Sequence, residues 1–116
     1  MSLSASQGSN GIPAFNARIN YGEAQYISLP QAIPIRQWIH TTVAFNESHV
    51  SLYFNWKLVG SRSLTFRPSD FRKATRNWIG RSQHWIDAGF FGSIIDFYIY
   101  DRALTLDQIL KISKGI

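Results

Sequence analysis

The stretch "QWIHTTVAFNESHVSLYFNWKLVGS", Gln37 to Ser61, decides how this chain folds. Ile39, Thr41, Val43 and Phe45 alternate with Trp38, His40, Thr42 and Ala44, and after a short polar interruption Val50, Leu52 and Phe54 alternate with Ser51, Tyr53 and Asn55. Successive side chains of a strand point to opposite faces, so each run predicts a strand with one apolar side. Asn46-Glu47-Ser48-His49 between them has the length and polarity of a hairpin turn.

Towards the C-terminus the same period returns in "FFGSIIDFYIYDRALTLDQI", residues 90–109. Ile95, Phe97 and Ile99 share one face and Ile94, Asp96, Tyr98 and Tyr100 the other, which predicts a strand packed on one side and partly wet on the other. The period then changes. Thr105 and Gln108 have the spacing of a capping box, in which the hydroxyl and the amide side chain satisfy free backbone amides of the first helical turn. A short terminal helix is expected, with Leu106, Ile109, Leu110 and Ile112 as its apolar stripe, Lys111 and Lys114 near its C-terminal dipole and Gly115 as a stop.

Towards the N-terminus "NARIN" and "AQYISLP" read as further strands, as do "RSLTF" and "RNWIG" beyond the hairpin. Many short strands with helix only at the end predict an all-β antiparallel sandwich or jelly roll. "RPSDFRKATRN", with Pro68, mixed charge and no period, reads as a loop.

At 116 residues, 45% hydrophobic and 15% aromatic, the chain holds one packed domain. Residues 1–12 are polar and Ser/Gly-rich and read as a flexible leader, with residues 13–116 as the domain. No window has the length of a membrane span, and without cysteine there is neither a disulfide nor a thiol for chemistry. The net charge is +5, and Arg62, Arg67, Arg72, Lys73, Arg76 and Arg81 crowd into twenty residues. That density favours anionic partners, although a solvated basic loop is the alternative.

The succession "QWIHTTVAFNESHVSLYFNWKLVGS", "NWIGRS" and "FFGSIIDFYIYDRALTLDQI" resembles the laminin G-like group of concanavalin A-like jelly rolls, over roughly Trp38 to Ile112. The resemblance implies an antiparallel β-sandwich with a short C-terminal helix. It also implies that Trp38 is a core residue and that Asp96 is structural. Members of the group are usually longer, so strands ahead of Ala17 look missing and the sandwich short or incomplete. Bare edges are costly, and a homo-oligomer or a longer parent chain would cover them. Relatives carry Asp-Gly where this chain has Asn55-Trp56, so either the turn type differs or the tip is strained. The Trp56 indole would then be a ligand platform, a lid folded onto a neighbouring strand or a subunit contact.

Candidate ligand-binding residues follow from the loops. Arg81, His84, Trp85 and Asp87 lie between two expected strands and combine an aromatic face with hydrogen-bonding and charged groups, as a sugar site requires. The alternative is that Trp85 and Phe90 plug the end of the sandwich. Arg72 and Arg76 would add charge for an acidic glycan, and Trp56 a second aromatic face. His40 reads as a packed, hydrogen-bonded histidine.

No cofactor is expected. Calcium occurs in the resembled group, but the seven acids here are scattered. No strand carries the paired carboxylates of a glycosidase, and no nucleophile elbow or phosphate loop is present, so no enzyme activity is expected. The leading expectation is a non-catalytic carbohydrate-binding or adhesion module for acidic or sulfated glycans. The alternative is a structural or assembly protein that uses the jelly roll as an oligomerisation scaffold. Nucleic acid is not the expected partner, since the aromatics match no stacking module. An extracellular or cell-surface location is expected, with Asn46-Glu47-Ser48 as an acceptor pattern for N-glycosylation in an exposed turn.

Overall fold

The computed structural model describes residues 2–4, 12–17, 25–28, 32–71, 77, 79–80 and 90–115. Two compact units divide the chain: Met1–Pro34 with Ser69–Tyr98, and Ile35–Pro68 with Ile99–Ile116. Each holds one three-stranded antiparallel sheet.

The first sheet comprises β1 (Ser2–Ser4), β2 (Ala14–Ala17) and β3 (Gln25–Ser28), with β2 in the centre. Leu3 pairs with Phe15, and Phe15 with Ile27. Pro13, Ala14 and Phe15 are consecutive and all buried. Because neighbouring side chains on a strand face opposite ways, this places cover on both faces of β2. Three residues of the polar start, read as a leader, are thus in a strand, and the strand expected at "NARIN" is centred earlier, on Ala14–Ala17.

The second sheet is the expected hairpin, extended by one strand: β4 (Thr41–Asn46), β5 (His49–Phe54) and β6 (Lys57–Ser63). Thr41 pairs with Phe54 and Asn46 with His49, which leaves Glu47-Ser48 as a two-residue turn. Glu47 takes φ 56°, the left-handed conformation that such a turn needs. Val50 and Leu52 on β5 are fully buried, as their alternation predicts. On β6 the pairing shifts between Leu52–Gly60 and Tyr53–Leu58, so Val59 is the extra residue of a bulge. The ladder continues one step past β6, where the Leu64 amide donates to the Ser48 carbonyl at 2.8 Å and the Leu64 side chain is buried.

Helix α1 (Leu106–Lys114) begins as the capping box predicts. The Gln108 amide donates to Thr105 Oγ1 at 3.3 Å, and the Thr105 amide to Gln108 Oε1 at 2.9 Å. Ile109 is fully buried, whereas Leu106 is exposed and does not join the stripe. Gly115 caps the last turn through its amide on the Lys111 carbonyl, at an ordinary helical φ.

Two expectations give way. Residues 93–100 are not in a strand and are exposed on both faces. Asp96, at φ 57°, turns the chain in the middle of the alternation, a conformation that aspartate tolerates better than most residues. The expected strand is therefore not formed there. Nor does the hairpin start at Trp38: β4 begins three residues later, after a left-handed Arg36 at φ 61°, and Trp38 is 58% exposed rather than core.

Truncating Leu52 to alanine should cost about 2–5 kcal/mol, the range for a fully buried leucine, and Thr105→Ala about 1 kcal/mol through loss of the cap. Chemical denaturation followed by circular dichroism measures both. Equal effects would contradict this division between core and cap.

Candidate functional site

The turn between β5 and β6 is built around Asn55. Phe54 pairs with Lys57, so Asn55-Trp56 is a two-residue loop, and the left-handed φ falls on Asn55 (57°), not on Trp56. Asparagine is one of the few residues that takes this conformation readily, which resolves the departure from Asp-Gly: the positive φ moves back by one position. Asn55 also extends the β4–β5 ladder by one step. Its amide donates to the His40 carbonyl at 2.6 Å, and its Oδ1 accepts from the His40 amide at 3.1 Å. The side-chain carbonyl takes the place that a main-chain carbonyl would occupy in a regular strand. His40 is half-buried, and its Nδ1 lies 3.4 Å from Thr42 Oγ1, so it is a packed and bonded residue as the sequence indicates.

Held this way, the tip presents Trp56, 41% exposed. The indole is neither a buried lid nor bare. Lys114 Nζ lies 5.5 Å from its ring centroid, within the range of a cation–π contact worth about 0.5–1 kcal/mol at an exposed site. The contact places the last turn of α1 against the β5–β6 tip, both within one unit. Lys57, the first residue of β6, is exposed. An aromatic face with a cation beside it suits a flat apolar surface that carries negative charge.

Of the residues expected to bind ligand, Trp56 alone is described. Arg72, Arg76, Arg81, His84, Trp85 and Asp87 lie outside the described residues. The residues flanking the last four are joined: the Phe90 amide donates to the Gly80 carbonyl at 3.0 Å, and Gly80 sits at φ 88°, where a side chain would be strained. Arg62 on β6 and Arg67 beyond it are exposed. Among the described residues no group of three His, Asp or Glu side chains gathers to hold a metal ion. Sequence reasoning missed Lys114 as a neighbour of Trp56 and Asn55 as the residue that positions it. The signal for Asn55 was present, since asparagine is the next choice after glycine wherever φ is positive. Lys114 carried none, because its spacing on the helix accounts for it through the dipole alone.

Asn55→Gly keeps the left-handed turn and loses one hydrogen bond, so it should cost about 1 kcal/mol. Asn55→Ala also forces alanine into that conformation and should cost about 2–3 kcal/mol. Thermal unfolding of the two variants tests that order, and equal losses would mean that the conformation of the turn is not what selects asparagine.

No curated protein matches the chain. A crystal structure of an S-layer domain-containing protein (residues 221–444) from Clostridium thermocellum ATCC 27405 superposes with a TM-score of 0.61 at 24% sequence identity, over 93% of this chain and 59% of that one. The chain thus spans about three-fifths of the length of that structure, and at this identity the likeness concerns the fold. The family described as the Concanavalin A-like lectin/glucanases superfamily, Laminin_G_3, matches residues 2–110, which reaches well ahead of Trp38 and takes in both sheets. With nearly its whole length matched, the chain belongs to the concanavalin A-like lectin/glucanase superfamily.

Proposed function

We propose that this chain is a non-catalytic carbohydrate-binding or adhesion module of the cell surface, selective for acidic or sulfated glycans. The observation that carries the reading is the β5–β6 tip, where Trp56 follows the left-handed Asn55 and Lys114 lies beside its ring. A pyranose offers an apolar face to an indole, and a carboxylate or sulfate on its rim would meet the Lys114 ammonium group. Exposed Arg62 and Arg67 add to the positive surface of the same unit. The basic stretch and the loop with Arg81, His84, Trp85 and Asp87 are a second candidate contact for an acidic glycan, and belong to the other unit.

Membership of the superfamily supports the reading, since it implies a jelly-roll sandwich and includes lectins, although fold alone does not fix function. It also includes glucanases. Glycoside hydrolysis needs two carboxyl groups flanking the scissile bond, and none of the six strands described here carries an Asp or Glu, which favours binding without catalysis. The S-layer description of the structural relative supports a surface location, as does Asn46-Glu47-Ser48, where Asn46 is the exposed last residue of β4 beside a two-residue turn.

A glycan array together with a heparin column tests the proposal. The wild-type chain should outlast a charge-matched basic protein on heparin, and Trp56→Ala should weaken array binding about tenfold, the scale of one lost stacking contact. Trp85→Ala reports separately on the loop. Retention no better than the control, or array binding indifferent to both tryptophans, would refute the glycan reading.

A further inference from the structure

We infer that Trp38 is a second stacking face for the ligand of the Trp56 tip, so that this end of the second sheet binds a run of several acidic sugars rather than a single one. The inference rests on the glycan reading of that tip and adds to it the length of ligand and the residue that senses it.

The two tryptophans are tied to one rung of the ladder. The Asn55 amide donates to the His40 carbonyl at 2.6 Å, and the His40 amide to Asn55 Oδ1 at 3.1 Å. Trp56 follows Asn55 directly, and Trp38 precedes His40 by two residues. A residue spans at most about 3.6 Å of extended chain, and residues that exchange hydrogen bonds across a ladder lie about 5.5 Å apart, so the Cα atoms of Trp38 and Trp56 are within about 17 Å of each other. Both belong to the same unit, and neither distance nor tie depends on the other one.

Trp38 is 58% exposed and Trp56 41%. Single exposed apolar side chains are ordinary on any surface, whereas two exposed indoles held to one rung are the kind of aromatic lining that ligand sites use. The loop that carries Trp38 passes through Arg36 at φ 61°, a conformation that costs a non-glycine residue energy and that gathers at ligand-holding loops.

Charge at this end of the sheet is of one sign. Lys114 Nζ lies 5.5 Å from the Trp56 ring centroid, and exposed Arg36 stands two residues ahead of Trp38. From residue 24 to residue 69 the one acid is Glu47, in the β4–β5 turn at the opposite end of the hairpin. A ligand that crosses from one indole to the other thus meets a cation near each and no carboxylate on the connecting strands, which favours a chain with repeated negative charge over a neutral one.

Titration calorimetry of the full chain with heparin-derived disaccharide and hexasaccharide tests the inference. The wild type should bind the hexasaccharide about tenfold more tightly than the disaccharide. Trp38→Ala should lose about tenfold on the hexasaccharide and less than about twofold on the disaccharide, whereas Trp56→Ala should weaken both. The melting temperature of Trp38→Ala should stay within about 3 °C of wild type, as for an exposed side chain. A hexasaccharide affinity indifferent to Trp38→Ala, with Trp56→Ala still weakening both probes, would overturn the inference and leave the glycan reading standing. Equal losses on both lengths would put the two indoles on one sugar, and a larger fall in melting temperature would make Trp38 a structural contact; either result also overturns it. If neither oligosaccharide binds, the inference and the glycan reading fall together.

Discussion

Strand β5 must satisfy its backbone on two sides at once while burying Val50 and Leu52 completely, and the second sheet is arranged around that requirement. A strand with two neighbours cannot slip by one residue without turning its apolar set outward. Both turns that serve β5 are therefore as short as a hairpin allows, and each places a single left-handed residue, Glu47 or Asn55, at its first position. The bulge at Val59 adds the irregularity that β6 needs to stay paired from Lys57 to Ser63.

The candidate site follows from the second of these turns. Asn55 serves as the turn residue and, through its side chain, as the last rung of the β4–β5 ladder, so Trp56 is carried by a tip bonded on both sides of its turn. The capping box at Thr105 fixes where α1 starts, and nine helical residues later Lys114 stands over the indole. The site thus joins two local rules, a turn and a cap, that lie far apart in the sequence. Neither rule requires the other, and the aromatic face with its cation exists only because packing within one unit brings them together.

Asp96 shows how one backbone conformation overrides a periodic pattern. Its left-handed turn, at φ 57°, divides an apolar run that would otherwise read as a continuous strand.

What the sequence determined by itself is local and periodic. The alternation of Val50 with Leu52, the polar turn at Glu47-Ser48 and the Thr105–Gln108 box act between near neighbours, so the hairpin and the helix start were legible residue by residue. The motifs of the hairpin and the C-terminal segment also identified the superfamily. Tertiary structure decided everything that depends on a distant partner. Alternation states that a segment can be a strand, but a strand exists only when another backbone accepts its hydrogen bonds, so Ser2–Ser4 is in a strand although polar and residues 93–100 are not in one although they alternate. For the same reason Trp38 is exposed, since the ladder that would have turned it inward begins at Thr41. The meeting of Lys114 with Trp56 is the plainest case: no spacing in the chain encodes it, because it is a distance across a fold.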